Sequence, residues 1–211
     1  MEKIERVPLV LDWVRAHNFA IFTHGDYNVN LVALRSPQPN DATPQSENTY
    51  NDRFFCVFKK GGQWISRTWN CTADPGIHFQ RFPMNPRGCG ALYAPQQVRG
   101  GYRLGLHRGK SKALVQSPTG NQVRVYRDDD RSGVFDFDSS TVEVGFGFNI
   151  HKGPSTEATG VDRASAGCVV FRKSREFATL IKICTKSAAQ YGNSFTFTVL
   201  DAPEMNRHAS V

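Results

Sequence analysis

Residues 194–200, Ser-Phe-Thr-Phe-Thr-Val-Leu, alternate polar and apolar side chains with a period of two, a pattern that only an extended strand with one buried face satisfies. The same period runs through Tyr27–Leu34, where Val29, Leu31 and Ala33 share a face, and with Phe19–Phe22 and a Gly25-Asp26 turn it predicts a β-hairpin. A second hairpin is predicted from Phe54-Phe55-Cys56-Val57-Phe58, the turn Lys60-Gly61-Gly62-Gln63, and the strand beginning at Trp64. Further strands are expected over 101–107, 113–116, 123–126, 142–150 and 168–171. Turns are expected at 74–76, at 86–90 and through Asp128-Asp129-Asp130, which lacks the glycine and distal glutamate of a calcium loop.

Helical spacing occurs twice. Leu9, Val10, Trp13 and Val14 follow Pro8 and predict a short helix over 8–17. Phe177, Leu180, Ile181 and Cys184 predict a second, over 174–190, with Ser174 as N-cap and Gly192 beyond its end. The three prolines within 36–51 mark an exposed loop. With 18 glycines and 11 prolines between short strands, the 211 residues predict an α+β, mainly β fold, a sandwich or barrel with a short N-terminal and one C-terminal helix. One domain is expected, with hairpins in 1–100, a core in about 101–200 and a polar tail at 201–211.

Composition excludes several classes. Apolar residues at 39% are too many for disorder, and no stretch approaches the roughly 18 apolar residues that a membrane-spanning helix requires. The start, Met-Glu-Lys-Ile-Glu-Arg, is not a signal peptide, so synthesis in the cytoplasm is expected. The five cysteines include no Cys-x-x-Cys pair, and no His-Glu-x-x-His occurs, so neither a zinc ribbon nor a zinc peptidase is supported; no metal and no cofactor are expected. The net charge of +7 suits a polyanionic partner, but the 26 basic residues are scattered rather than interleaved with aromatics, which argues against nucleic acid.

Two late segments carry the chemistry. In GFGFNIHKG, His151 ends an apolar strand before a Lys-Gly-Pro turn. In DRASAGCVVF, Cys168 follows the small-residue turn Ser165-Ala166-Gly167, which leaves room for a substrate carbonyl and directs backbone N–H groups toward a developing oxyanion. A cysteine nucleophile needs its proton removed, and His151 is the candidate base. Cys56 and Cys184, inside apolar runs, read as core residues. Lys152 and Arg163 are expected to favour a thiolate or hold a substrate carboxylate, and His107 and Arg108, in LGLHRGK, to line the same cleft.

His, a spacer, then Ser-x-Gly-Cys-apolar resembles the signature of the L,D-transpeptidase family, carried here by His151, Ser165, Gly167, Cys168 and Val169. Ala166 stands where that family has a second histidine, and Val170 where it has asparagine or arginine. The wider order of YNVNLVALRS, TADPG, YRLGLHRGKSKALVQ, VYRDDD, FNIHKG and SAGCVVF is similar to uncharacterised proteins of phages and gut bacteria. The resemblance implies an L,D-transpeptidase-like core and an acyl-enzyme on Cys168, formed from peptidoglycan stem peptides and resolved by an amine or by water. It also implies action at the cell wall or periplasm after delivery by phage lysis, a virion or secretion. Ser165 would orient the turn or the imidazole. The competing expectation is an inactive wall-binding or phage structural protein that keeps the fold.

Overall fold

A computed structural model describes residues 7–36, 48–154 and 159–202. The expected exposed loop at 36–51 and the polar tail from 201 fall largely outside those residues. The chain is α+β and mainly β. Its eleven described strands are β1 (Asn30–Arg35), β2 (Asp52–Lys60), β3 (Gln63–Thr72), β4 (Cys89–Leu92), β5 (Gln96–His107), β6 (Ser111–Gln116), β7 (Val123–Asp128), β8 (Glu143–Gly145), β9 (Ile150–Lys152), β10 (Val169–Phe171) and β11 (Phe195–Asp201). The helices are α1 (Leu9–Ala16), α2 (Ile77–Arg81) and α3 (Ser174–Tyr191).

Eight strands close a barrel in the order β1-β11-β5-β6-β9-β10-β3-β2, and β4-β7-β8 form a separate small sheet. Strands from both halves of the chain complete the barrel. The β2–β3 hairpin turns as the sequence requires: Lys60 pairs with Gln63, and Gly61 and Gly62 between them have φ of 58° and 77°, a backbone that side chains with a Cβ resist.

The barrel interior takes alternate residues of each strand, including Phe54, Cys56, Tyr102, Leu114, Ile150, Val169, Phe171 and Phe197, with Phe177, Leu180 and Cys184 of α3 packed against them. On the outer face α1 covers β1, β2 and β11 through Val10, Leu11 and Val14 against Val32, Leu34, Val57 and Leu200. α3 starts differently from expectation. Lys173 is the capping residue and makes no side-chain cap, while the Ser174 hydroxyl donates to the carbonyls of Gly153 and Pro154.

Three other expectations are corrected. Phe19–Phe22 is not a strand, because β1 already pairs with β11 on one edge and β2 on the other. Side-chain amides replace the missing partner: Asn30 bonds both main-chain groups of Phe22, and Gln97 both of Ala20. The single strand expected over 142–150 is broken at Gly147, φ 80°, so β8 belongs to the small sheet and β9 to the barrel. The turn expected at 86–90 gives way at Cys89 to β4, and α2 follows directly on the Asp74-Pro75-Gly76 turn.

At the junction of barrel and small sheet, Arg35 is buried. Its guanidinium donates to Asp74 at 2.8 Å, to Asp201 at 3.1 Å and to the Leu92 carbonyl of β4 at 2.6 Å. Asp74 is thereby a structural partner. Asp128, expected in an exposed turn, ends β7 with its carboxyl buried against the Cys89 thiol; burial, then Asp130 and Asp136, push that carboxyl up to about 7.

Candidate active site

β9 and β10 run side by side in parallel, with Ile150 opposite Val169 and His151 opposite Val170. Because Ile150, Val169 and Phe171 face the barrel core, His151, Cys168 and Val170 face outward. The sequence pairing of Cys168 with His151 is thus brought together by adjacent strands. The sulfur and ring-nitrogen atoms of Cys168, His151 and His107 lie within 4.8 Å of one another.

The turn before Cys168 is tied by one hydroxyl. Ser165 Oγ accepts from the Gly167 N–H at 3.0 Å and donates to the Cys168 carbonyl at 2.8 Å, so Ser165 orients the turn rather than the imidazole. Gly167 has φ of 112°, and a Cβ there would lie 2.1 Å from the Gly90 carbonyl oxygen of β4. Only glycine lets this turn lie against the small sheet. With its N–H committed to Ser165, Gly167 is not the oxyanion donor that the sequence suggested. The Cys168 N–H has no acceptor among the described residues and faces no such competition.

The thiol and the imidazole are held from the same segment. Cys168 Sγ donates to the Gly147 carbonyl at 3.5 Å and accepts from the Asn149 N–H at 3.4 Å. His151 Nδ1 lies 2.9 Å from the Lys152 carbonyl, which can only accept, so Nδ1 carries the proton and Nε2 is left with a lone pair. Burial pushes the Cys168 thiol from 9.0 up to about 11, opposed by the Asn149 N–H and by Arg108. Burial pulls His151 from 6.5 down to about 4, opposed by its bond to the Lys152 carbonyl and reinforced by His107 and Arg108. At neutral pH the pair is therefore thiol and neutral imidazole, not the thiolate that the sequence led us to expect.

His107 ends β5, and its ring stacks on His151 with centroids 4.2 Å apart and planes at 25°. Its Nδ1 lies 3.1 Å from Asn149 Nδ2, while Asn149 Oδ1 accepts from the Gln116 N–H. The amide orientation assigned by the Gln116 contact makes His107 Nδ1 an acceptor and places its proton on Nε2. The stack also bears on metal binding. One nitrogen of each stacked ring and the Cys168 sulfur lie within 4.8 Å of one another, so the three side chains could hold a metal ion.

Cys168 lies between two cavities that share His107, Arg108, Phe79, Ala166 and Cys168 itself, of about 460 Å³ on one side and about 310 Å³ on the other. Arg163 lines the smaller one. The Lys152 side chain is exposed and lines a neighbouring depression, so its contribution to Cys168 is made by its carbonyl, through His151. Arg108, in the tight β5–β6 turn with φ of 50°, is the cation whose field favours the Cys168 thiolate.

Sequence reasoning missed Asn149, which bonds the His107 ring, the Gln116 backbone and the Cys168 sulfur. It also missed Asn48, whose amide fastens the loop leading to Cys168 through Asp162 and Ile77. The asparagine two residues before His151 was the available signal for the first, since a period of two puts both side chains on one face. No protein-family model, curated protein or solved structure matches this chain.

Proposed function

We propose that the chain is a cysteine-dependent acyl-transfer enzyme of L,D-transpeptidase type that acts on peptidoglycan stem peptides. The observation carrying this reading is His151: its Nδ1 is bound to a main-chain carbonyl, which leaves Nε2 with a lone pair, and the ring stands within 4.8 Å of the Cys168 thiol in a cleft. Because both groups rest neutral, His151 Nε2 takes the thiol proton as Sγ attacks the amide carbonyl. The Sγ–C bond forms, the Cys168 N–H stabilises the oxyanion, and the C–N bond breaks as His151 returns the proton to the leaving amine. An acceptor amine or water then attacks the acyl carbon while giving a proton to His151, the C–Sγ bond breaks, and His151 returns that proton to the departing sulfur. The site of action under this reading is the cell wall or periplasm, reached by phage lysis, a virion or secretion.

Incubation with purified peptidoglycan or a tetrapeptide stem is expected to yield altered muropeptides, and Cys168→Ala and His151→Ala are each expected to abolish the change. A second reading, a wall-binding or phage structural protein without activity, is favoured by the burial that raises the Cys168 thiol to about 11, together with Ala166 and Val170. Unchanged muropeptides across several wall chemistries, with wild-type protein retained on the wall, would establish that reading instead.

A further inference from the structure

The two cavities beside Cys168 differ in chemistry. Both contain Phe79 and Arg108; the larger adds Met84, Pro86, Phe146 and Phe148 beside Arg127, and Met84 and Phe146 stand 70% and 79% exposed. Large apolar side chains held this far into solvent at the rim of a cleft mark a contact surface for an apolar group. The smaller is lined by Arg108, Lys110 and Arg163 and by no acidic residue. Among the described residues, none of these three cations forms a salt bridge with an acid. An anionic group is the complement of that wall.

We propose that Cys168 acts on acyl compounds that lie across both cavities, carrying a carboxylate toward Lys110 and Arg163 and an apolar group larger than a methyl toward Met84, Phe146 and Phe148. The inference rests on the nucleophile reading above and narrows its substrate class. A stem peptide of alanine and acidic residues alone fills the basic side and leaves the apolar side empty. Binding energy from each flank would hold the carbonyl between Sγ and His151.

The test is alkylation of Cys168 in the full chain by three chloroacetamides, followed by intact mass with peptide mapping. The probes are chloroacetamide, N-(2-phenylethyl)chloroacetamide and N-chloroacetylglycine. Both substituted probes are expected to label Cys168 at least about tenfold faster than chloroacetamide, with rates that saturate. Met84→Ala with Phe146→Ala should remove the phenylethyl advantage and keep the glycine one; Lys110→Ala with Arg163→Ala should do the reverse. These positions are exposed or rim residues, and a circular dichroism melt checks the fold. Labelling of Cys168 at equal rates by all three probes, or losses that do not separate by flank, would overturn the inference and leave the nucleophile standing. Failure of every probe to label Cys168 in the folded protein, with labelling restored on denaturation, would remove the nucleophile reading and the inference with it.

Discussion

His107 and His151 stack face to face, 4.2 Å between centroids, and each ring is fixed by a different Nδ1 contact: an amide donor for His107, a carbonyl acceptor for His151. The two imidazoles therefore hold opposite tautomers. Two cationic rings at this separation would repel in a partly dry cleft, so burial and stacking act together to keep the pair neutral.

Asn149→Asp tests that arrangement. One carboxylate oxygen still accepts from the Gln116 N–H, but the other now faces His107 Nδ1 and demands a proton there. His107 is expected to change tautomer and to titrate at higher pH than in the wild type, read from imidazole nitrogen shifts by NMR. An unchanged His107 tautomer would show that the Asn149 amide does not set it.

The neutral pair gives a distinctive pH profile. Alkylation of Cys168 by iodoacetamide should keep rising as the pH approaches about 11 instead of levelling off near neutrality. Turnover should fall on the acid side as His151 protonates near 4. The unfolded chain binds that proton from about 6.5, so His151 favours unfolding as pH falls between 6.5 and about 4, and its effect is constant below. His151→Gln should flatten that part of the stability curve measured by chemical denaturation.

Gly167→Ala places a Cβ 2.1 Å from the Gly90 carbonyl at φ 112°. The expected cost is about 3 kcal/mol, from strain and displaced backbone together, seen as a lower unfolding midpoint. Ser165→Ala removes the hydroxyl that joins the Gly167 N–H to the Cys168 carbonyl in a buried turn and should cost about 1 to 3 kcal/mol. Cys168 alkylation in Ser165→Ala should change rate even where the fold is retained, because the turn that sets the sulfur is released.

Arg35→Met leaves Asp74 buried without its partner and breaks the bond to the Leu92 carbonyl. A loss of about 3 to 5 kcal/mol is expected by thermal or denaturant unfolding. A loss under about 1 kcal/mol would mean that the cluster adjusts its protonation to compensate.

Much of this was legible where local and long-range demands agree. The Gly61-Gly62 turn fixes the β2–β3 register by itself, Phe195, Phe197 and Val199 of β11 share the face toward the barrel core, and the helical stripe of α3 matches one burial face. Cys168 and His151 stood out because each lies at a strand end beside small residues. What could not be read depends on edges and burial. Phe19–Phe22 has strand composition, yet no free strand edge remains for it to join. The sequence around Cys168 is polar, which suggested a solvated and easily ionised thiol; only the folded loop from Val161 to Gly167 and the Gly90 backbone remove the water that a thiolate needs.

Gly147 and Asn149, which hold the sulfur, belong to the few residues that carry the chain out of the small sheet and into the barrel. The nucleophile is thus a joint property of two sheets. A closed barrel with the small sheet undocked would contain Cys168 and His151 in register yet lack the contacts that set the thiol. Substitutions that loosen β4, β7 or β8 should accordingly change Cys168 reactivity before they change global stability, which makes the thiol a local reporter of sheet docking.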